Sequence, residues 1–170
     1  MIPEIDTQLT AVMKSLTDNV LPAIDPGNAL AGEQIRLCLA TLGLIRGNLP
    51  LHHAYLRRDL QAHAELGAAI SALAEKAGIA TAPVRAETAR AQAQLADPAQ
   101  GPAENEAQAR RLKAAIAALI NATRGSTAAP AIAAAILDAE AQATLRARAW
   151  CVNMGFEPDP AALPGLSELL

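Results

Sequence analysis

Residues 28–78 read NALAGEQIRLCLATLGLIRGNLPLHHAYLRRDLQAHAELGAAISALAEKAG. Two helical patterns meet in this stretch and break at Asn48-Leu49-Pro50. Before the break, Ile35, Cys38, Leu39, Leu42, Ile45 and Leu49 recur at helical spacing, and Leu30, Leu37 and Leu44 form a second line. Apolar residues on two faces predict a central helix covered on both sides. After the break, Leu56, Leu60, His63, Gly67, Ile70 and Ala74 share one line, with Leu66 and Leu73 beside it. Asn28 suits an N-cap, Pro50 a first helical turn, and Lys76 followed by Gly78 a helix end. The expectation is a helical hairpin over 28–78 that forms the dry centre of the molecule. Gly43, inside the first of its helices, costs about 1 kcal/mol against Ala, which predicts close approach by another helix.

Outward from the hairpin the pattern stays helical. Ile5, Leu9, Val12, Leu16 and Val20 make a stripe on a first helix expected to start at Pro3. Pro22 predicts a kink or stop, and Asp25-Pro26-Gly27 a turn. On the other side, a linker leads to a short polar helix from about Pro83 to Ala96, expected on the surface or poorly ordered. The run Asp97-Pro98-Ala99-Gln100-Gly101-Pro102 is the strongest break. A fifth helix follows to Arg124, with Leu112, Ile116, Leu119 and Ile120 inward, and a sixth from Ala129 to Asn153. Gly125 and Gly155 mark their ends. The tail 156–170 carries Phe156, Leu163, Leu166, Leu169 and Leu170, able to clip onto the bundle or a partner.

These elements predict an all-α, antiparallel bundle of five or six helices in one domain over 1–170. Composition agrees: roughly a quarter of the residues are Ala, the best helix former, and only 2 % are aromatic. Alanine buries little area per side chain, at about 25 cal/mol per Å2, which favours burying a further face in a homodimer.

Several function classes lose their support. A net charge of −3 offers no field for a polyanion, so no nucleic-acid partner is expected. No apolar run reaches the roughly 18 residues of a membrane span. The opening MIPEIDTQL places acids where a signal peptide needs bases, so a cytoplasmic protein is expected. Cys38 and Cys151 lie in predicted helices without a CxxC, which reads as two reduced, buried thiols. No Glu precedes a His by three, HExxH is absent, and His53 and His63 stand about 15 Å apart along one helix, so no metal is expected. Neither a nucleophile elbow nor a phosphate-binding Gly loop occurs, so no catalytic residue and no cofactor is assigned.

One polar set remains. His53, Arg57, Asp59 and His63 lie on the third helix, Arg36 and Arg46 on the second. Asp59 and His63, four apart, can pair along the helix. Either the set fixes helix register, or Arg36, Arg46, His53 and Arg57 form a ligand-binding face for a small anion or acyl ligand.

The segment LTDNVLPAIDPGNALAGEQIRLCLATLGLIRGNLPL, then LRRDL, resembles small all-helical bacterial proteins encoded beside acyl-CoA dehydrogenases and aminoglycoside-phosphotransferase-like kinases. The matching features are Val20-Leu21-Pro22-Ala23, the restart at Asn28–Leu30, the spacing of Leu39, Leu42 and Ile45, and Arg57–Leu60. The resemblance covers about the first 75 residues and brings no catalytic motif. It implies a non-catalytic accessory or protein-interaction role near acyl-CoA metabolism, with a protein partner.

Overall fold

The computed structural model describes residues 4–170 and is all-α, with no strand among the described residues. Six helices form the frame: α1 (Ile5–Ser15), α2 (Ala29–Asn48), α3 (His52–Lys76), α4 (Ala82–Ala96), α5 (Pro102–Ala122) and α6 (Ala129–Cys151). The expected start at Pro3 lies outside the described residues; Glu4 is the residue before the first helical turn. The chain divides into two compact units. Among the described residues, one comprises 4–50 with 148–163, the other 51–147 with 164–170.

In the first unit, Pro22 shapes α1. Proline has no N–H, and its ring crowds the carbonyl four residues earlier. The backbone widens into a π turn over Leu16–Val20 and closes with Leu21–Ala23. The turn at 25–27 is held by the Asp25 carboxylate, which accepts from the Gly27 N–H at 2.8 Å. Asn28 then caps α2, its side-chain oxygen accepting from the Ala31 N–H at 3.1 Å.

The expectation that α2 is covered on both sides is corrected. Asn48 is its one buried residue, and its amide donates to the Trp150 carbonyl at 2.8 Å. Leu30 is 68 % exposed, and Leu37 and Ile45 are also exposed. Within this unit α2 packs mainly on α1, itself largely exposed, and of its second apolar line only Leu44 is half-buried. Gly43 is no tight crossing either, because a Cβ there would sit 3.7 Å from Met13 Cε, an ordinary contact.

The second unit holds the dense core. Leu60, Ala64, Leu66, Ile70 and Ala74 of α3 pack with Val84 and Ala91 of α4, Ala109, Leu112, Ile116 and Leu119 of α5, and Ile132 of α6. The tight crossing is at Gly67: a Cβ there would lie 2.6 Å from Thr88 Oγ1 and 3.4 Å from Leu112 Cδ1. Glycine on α3 thus lets α4 and α5 approach closely. Contrary to the sequence expectation, α4 joins this core, burying Val84, Thr88 and Ala91. A polar seam reinforces it. Gln108, 1 % exposed, donates to the Glu87 carbonyl at 3.0 Å and accepts from Arg111, while Gln94 donates to Asn105 at 2.9 Å. Helix α6 approaches α3 and α5 less closely along its backbone.

The helix ends follow the glycines. Gly78, Gly125 and Gly155 adopt positive φ, which costs a residue without Cβ little. In the tail, Phe156 is 78 % exposed, whereas Leu163, Leu166, Leu169 and Leu170 are half-buried.

Candidate functional site

The four residues singled out from sequence fall in both units. In the first, Arg46 Nε is 3.2 Å from Asp6 Oδ1, an exposed ion pair of α2 with α1. Arg36 lines a shallow hollow of about 300 Å3 with Leu21, Ile24, Asp25, Asn28 and Gly32. In the second unit, His53 Nε2 donates to the Gln100 carbonyl at 3.1 Å, and Arg57 Nη2 to the Leu95 carbonyl at 2.6 Å. Both bonds run from the start of α3 to the end of α4 and the loop that follows. The same loop is braced by Asp97, whose carboxyl is held below its ordinary value by the Gln100 amide, the Ala99 N–H and, more weakly, the Arg57 charge. His53 and Arg57 therefore satisfy carbonyls that the chain would otherwise leave bare.

A second arrangement lies in the other half of α3. Asp59, His63 and Leu66 of α3 face Lys113, Ile116, Ala117 and Ile120 of α5 and Ile136, Glu140 and Ala143 of α6 across a groove of about 410 Å3. It opens where α6 stands off the close-packed helices. The pairing of Asp59 with His63 expected from their spacing is present, mainly through the backbone. His63 Nδ1 is 2.7 Å from the Asp59 carbonyl and 3.4 Å from Asp59 Oδ1. A carbonyl only accepts, so Nδ1 carries hydrogen and Nε2 is the ring nitrogen left for chemistry in the groove. Lys113 Nζ meets the far oxygen of Asp59 at 2.9 Å. No Ser, Thr or Cys lines this groove, so it holds no alcohol or thiol nucleophile beside the imidazole. An apolar floor with a polar rim suits binding.

Lys113 and Glu140 were not legible as neighbours of His63 in the groove, because they come from helices far along the chain. Their only sequence signal was a charge beside an inward stripe.

The first unit offers a different feature. Ile5 and Val12 of α1, Val20 of the π turn and Leu30, Leu37 and Ile45 of α2 are all exposed large aliphatics. Cys38 and Cys151 are free and exposed as well, which corrects the expectation of buried thiols. Cys38 lies on the exposed side of α2.

No family model, curated protein or solved structure matches this chain. Among the described residues, no three of His, Cys, Asp and Glu converge as a metal-holding group, and no helix is long and apolar enough to cross a membrane.

Proposed function

We propose that this protein is a non-catalytic accessory protein that works through protein contact, and that the α1–α2 face is its contact surface. The observation that carries the proposal is the exposure of α2, a helix of 20 residues that buries only Asn48. A helix keeps its place mainly by covering an apolar stripe. The first occupant proposed is a second copy of the chain. A two-fold contact buries the same stripe twice, and an alanine-rich molecule gains most from such an added face. The polar set of Arg46, His53 and Arg57 supports this over a pocket on the same residues, since each already meets a carboxylate or carbonyl of its own unit. The resemblance in the first 75 residues supports an acyl-CoA dehydrogenase as the enzyme to try with that dimer.

Light scattering tests the proposal. The expected result is a particle of about twice 17.6 kDa that Leu37→Glu converts to a folded monomer. A wild-type protein that stays monomeric at high micromolar concentration, or a dimer indifferent to both Leu30→Glu and Leu37→Glu, overturns it.

A further inference from the structure

We infer that the groove between α3, α5 and α6 binds a small aliphatic amine as its ammonium ion, with the alkyl body on the isoleucine floor and the ammonium held by Glu140 and His63. This inference stands apart from the α1–α2 face and does not need it.

The floor selects an alkyl chain. Leu66 of α3, Ile116 and Ile120 of α5 and Ile136 of α6 line it, all buried or half-buried. Ile116 and Ile120 stand about 6 Å apart along their helix, the reach of a chain of roughly four to six carbons. No aromatic ring lines the groove, so a base or sugar ring finds nothing to stack on. About 410 Å3 falls within the roughly 300–1,000 Å3 of small-molecule sites.

The rim selects the charge. Its polar side chains are Asp59, His63, Lys113 and Glu140. Lys113 is spent on Asp59, Nζ to Oδ2 at 2.9 Å. His63 Nδ1 donates to the Asp59 carbonyl at 2.7 Å, which leaves Nε2 of the neutral ring as a lone pair. Glu140 is exposed and, among the described residues, forms no hydrogen bond or ion pair. The two groups left open, Nε2 and the Glu140 carboxylate, thus both accept hydrogen, and one is negative. A ligand that satisfies both must donate and carry positive charge, which an alkylammonium does through its several N–H groups.

Other head groups fit less well. A carboxylate or phosphate would have to take Lys113 from Asp59, and would then stand beside Glu140 with like charge. An alcohol donates once and brings no charge. Arg146 does not supply the cation that Glu140 lacks. It lines only an adjoining recess of about 10 Å3, too small to admit a ligand, and forms no ion pair with Glu140.

Calorimetric titration of the full chain with hexylamine, hexanol and hexanoate tests this at about pH 8, where an alkylamine is still protonated and an imidazole ordinarily neutral. Hexylamine is expected to bind at millimolar concentration, hexanol about fivefold more weakly and hexanoate not measurably. Glu140→Gln should weaken hexylamine about fivefold, leave hexanol unchanged and leave the melting temperature where it was, because the residue is exposed on α6. Ala117→Phe, on the exposed lip of the groove, should weaken hexylamine and hexanol alike by crowding the alkyl chain. Glu33→Gln, an exposed acid on α2, should bind hexylamine as wild type does, which separates the groove from a general attraction of amines to surface acids. Absence of hexylamine binding at tens of millimolar overturns the inference. So does hexanoate binding as tightly as hexylamine, wild-type affinity in Glu140→Gln, or an equal loss in Glu33→Gln. Should Glu140→Gln melt lower than wild type, hexylamine affinity retained in Ala117→Phe overturns it instead.

Discussion

Helices α2 and α3 have comparable apolar patterns and opposite fates. Both carry lines of leucine and isoleucine at helical spacing. Yet α3 buries Leu60, Ala64, Leu66, Gly67, Ile70, Ser71 and Ala74, whereas α2 buries one asparagine. The difference lies in the neighbours. Helix α3 offers a seam of small residues, Ala64, Gly67, Ser71 and Ala74, against which α4 and α5 can close. Helix α2 carries small residues too, Ala29, Gly32, Ala40, Gly43 and Gly47, yet it is packed mainly by α1. Small residues permit close approach, as Gly67 does on α3, but neither they nor leucines by themselves recruit a partner.

The contrast is most sharply tested in the core of α3. Ile70→Ala should lower unfolding free energy by about 2–5 kcal/mol, because Ile70 is fully buried. Leu37→Ala on α2, studied at concentrations where the chain is monomeric, should change it by less than about 0.5 kcal/mol. Denaturant titrations of the two variants suffice, and similar losses would erase the distinction between the helices.

Next in size is the crossing itself. Gly67→Ala should cost about 1–3 kcal/mol, since the added methyl meets Thr88 Oγ1 and Leu112, whereas Gly43→Ala should be neutral or stabilising. The double variant Gly67→Ala, Thr88→Ala should recover part of the loss, measured by thermal melting.

A smaller effect is expected at the start of α3. Arg57→Met keeps the aliphatic stem and removes the donor to the Leu95 carbonyl, which should cost about 1 kcal/mol. Hydrogen exchange should rise in the 95–101 loop and stay unchanged in α2.

The smallest change concerns acid. Glu157 lies 7 % exposed against Arg148, with the carboxylate 2.7 Å from the guanidinium. Arg148 donates twice to it and holds its pKa below the ordinary carboxylate value. A depressed acid stabilises the fold above its unfolded pKa of about 4.3 and loses that contribution as pH falls through the folded value. Glu157→Gln should therefore melt slightly lower than wild type at pH 7, and the gap should narrow as pH falls below the ordinary carboxylate value. Glu75, lowered by Thr81 and Arg85, should behave alike in the second unit.

Much of the architecture was readable along the chain. The Asn28 cap, the kink before Pro22, the stop glycines Gly78 and Gly125, and the inward face of α5 are local matters of backbone chemistry, and local chemistry is visible in a window of a few residues. The pairing of Asp59 with His63 was visible for the same reason. Helix α4 was misjudged because its buried face is Val84, Thr88 and Ala91, and its remaining anchorage is a polar seam to Asn105 and Gln108. Hydrophobic spacing does not detect polar atoms that satisfy one another across two helices. Lys113 and Glu140 stayed illegible as groove residues because no local rule joins α5 and α6 to residue 63.

By itself, then, the sequence determined the helices, their ends and the all-α class, since propensity, capping and proline geometry act within a turn or two. Tertiary structure alone decided which helix became the centre. Burial belongs to pairs of surfaces, and a stripe of leucines, with or without small residues beside it, states only that a helix has something to bury; which helices the fold brings against it decides whether that happens.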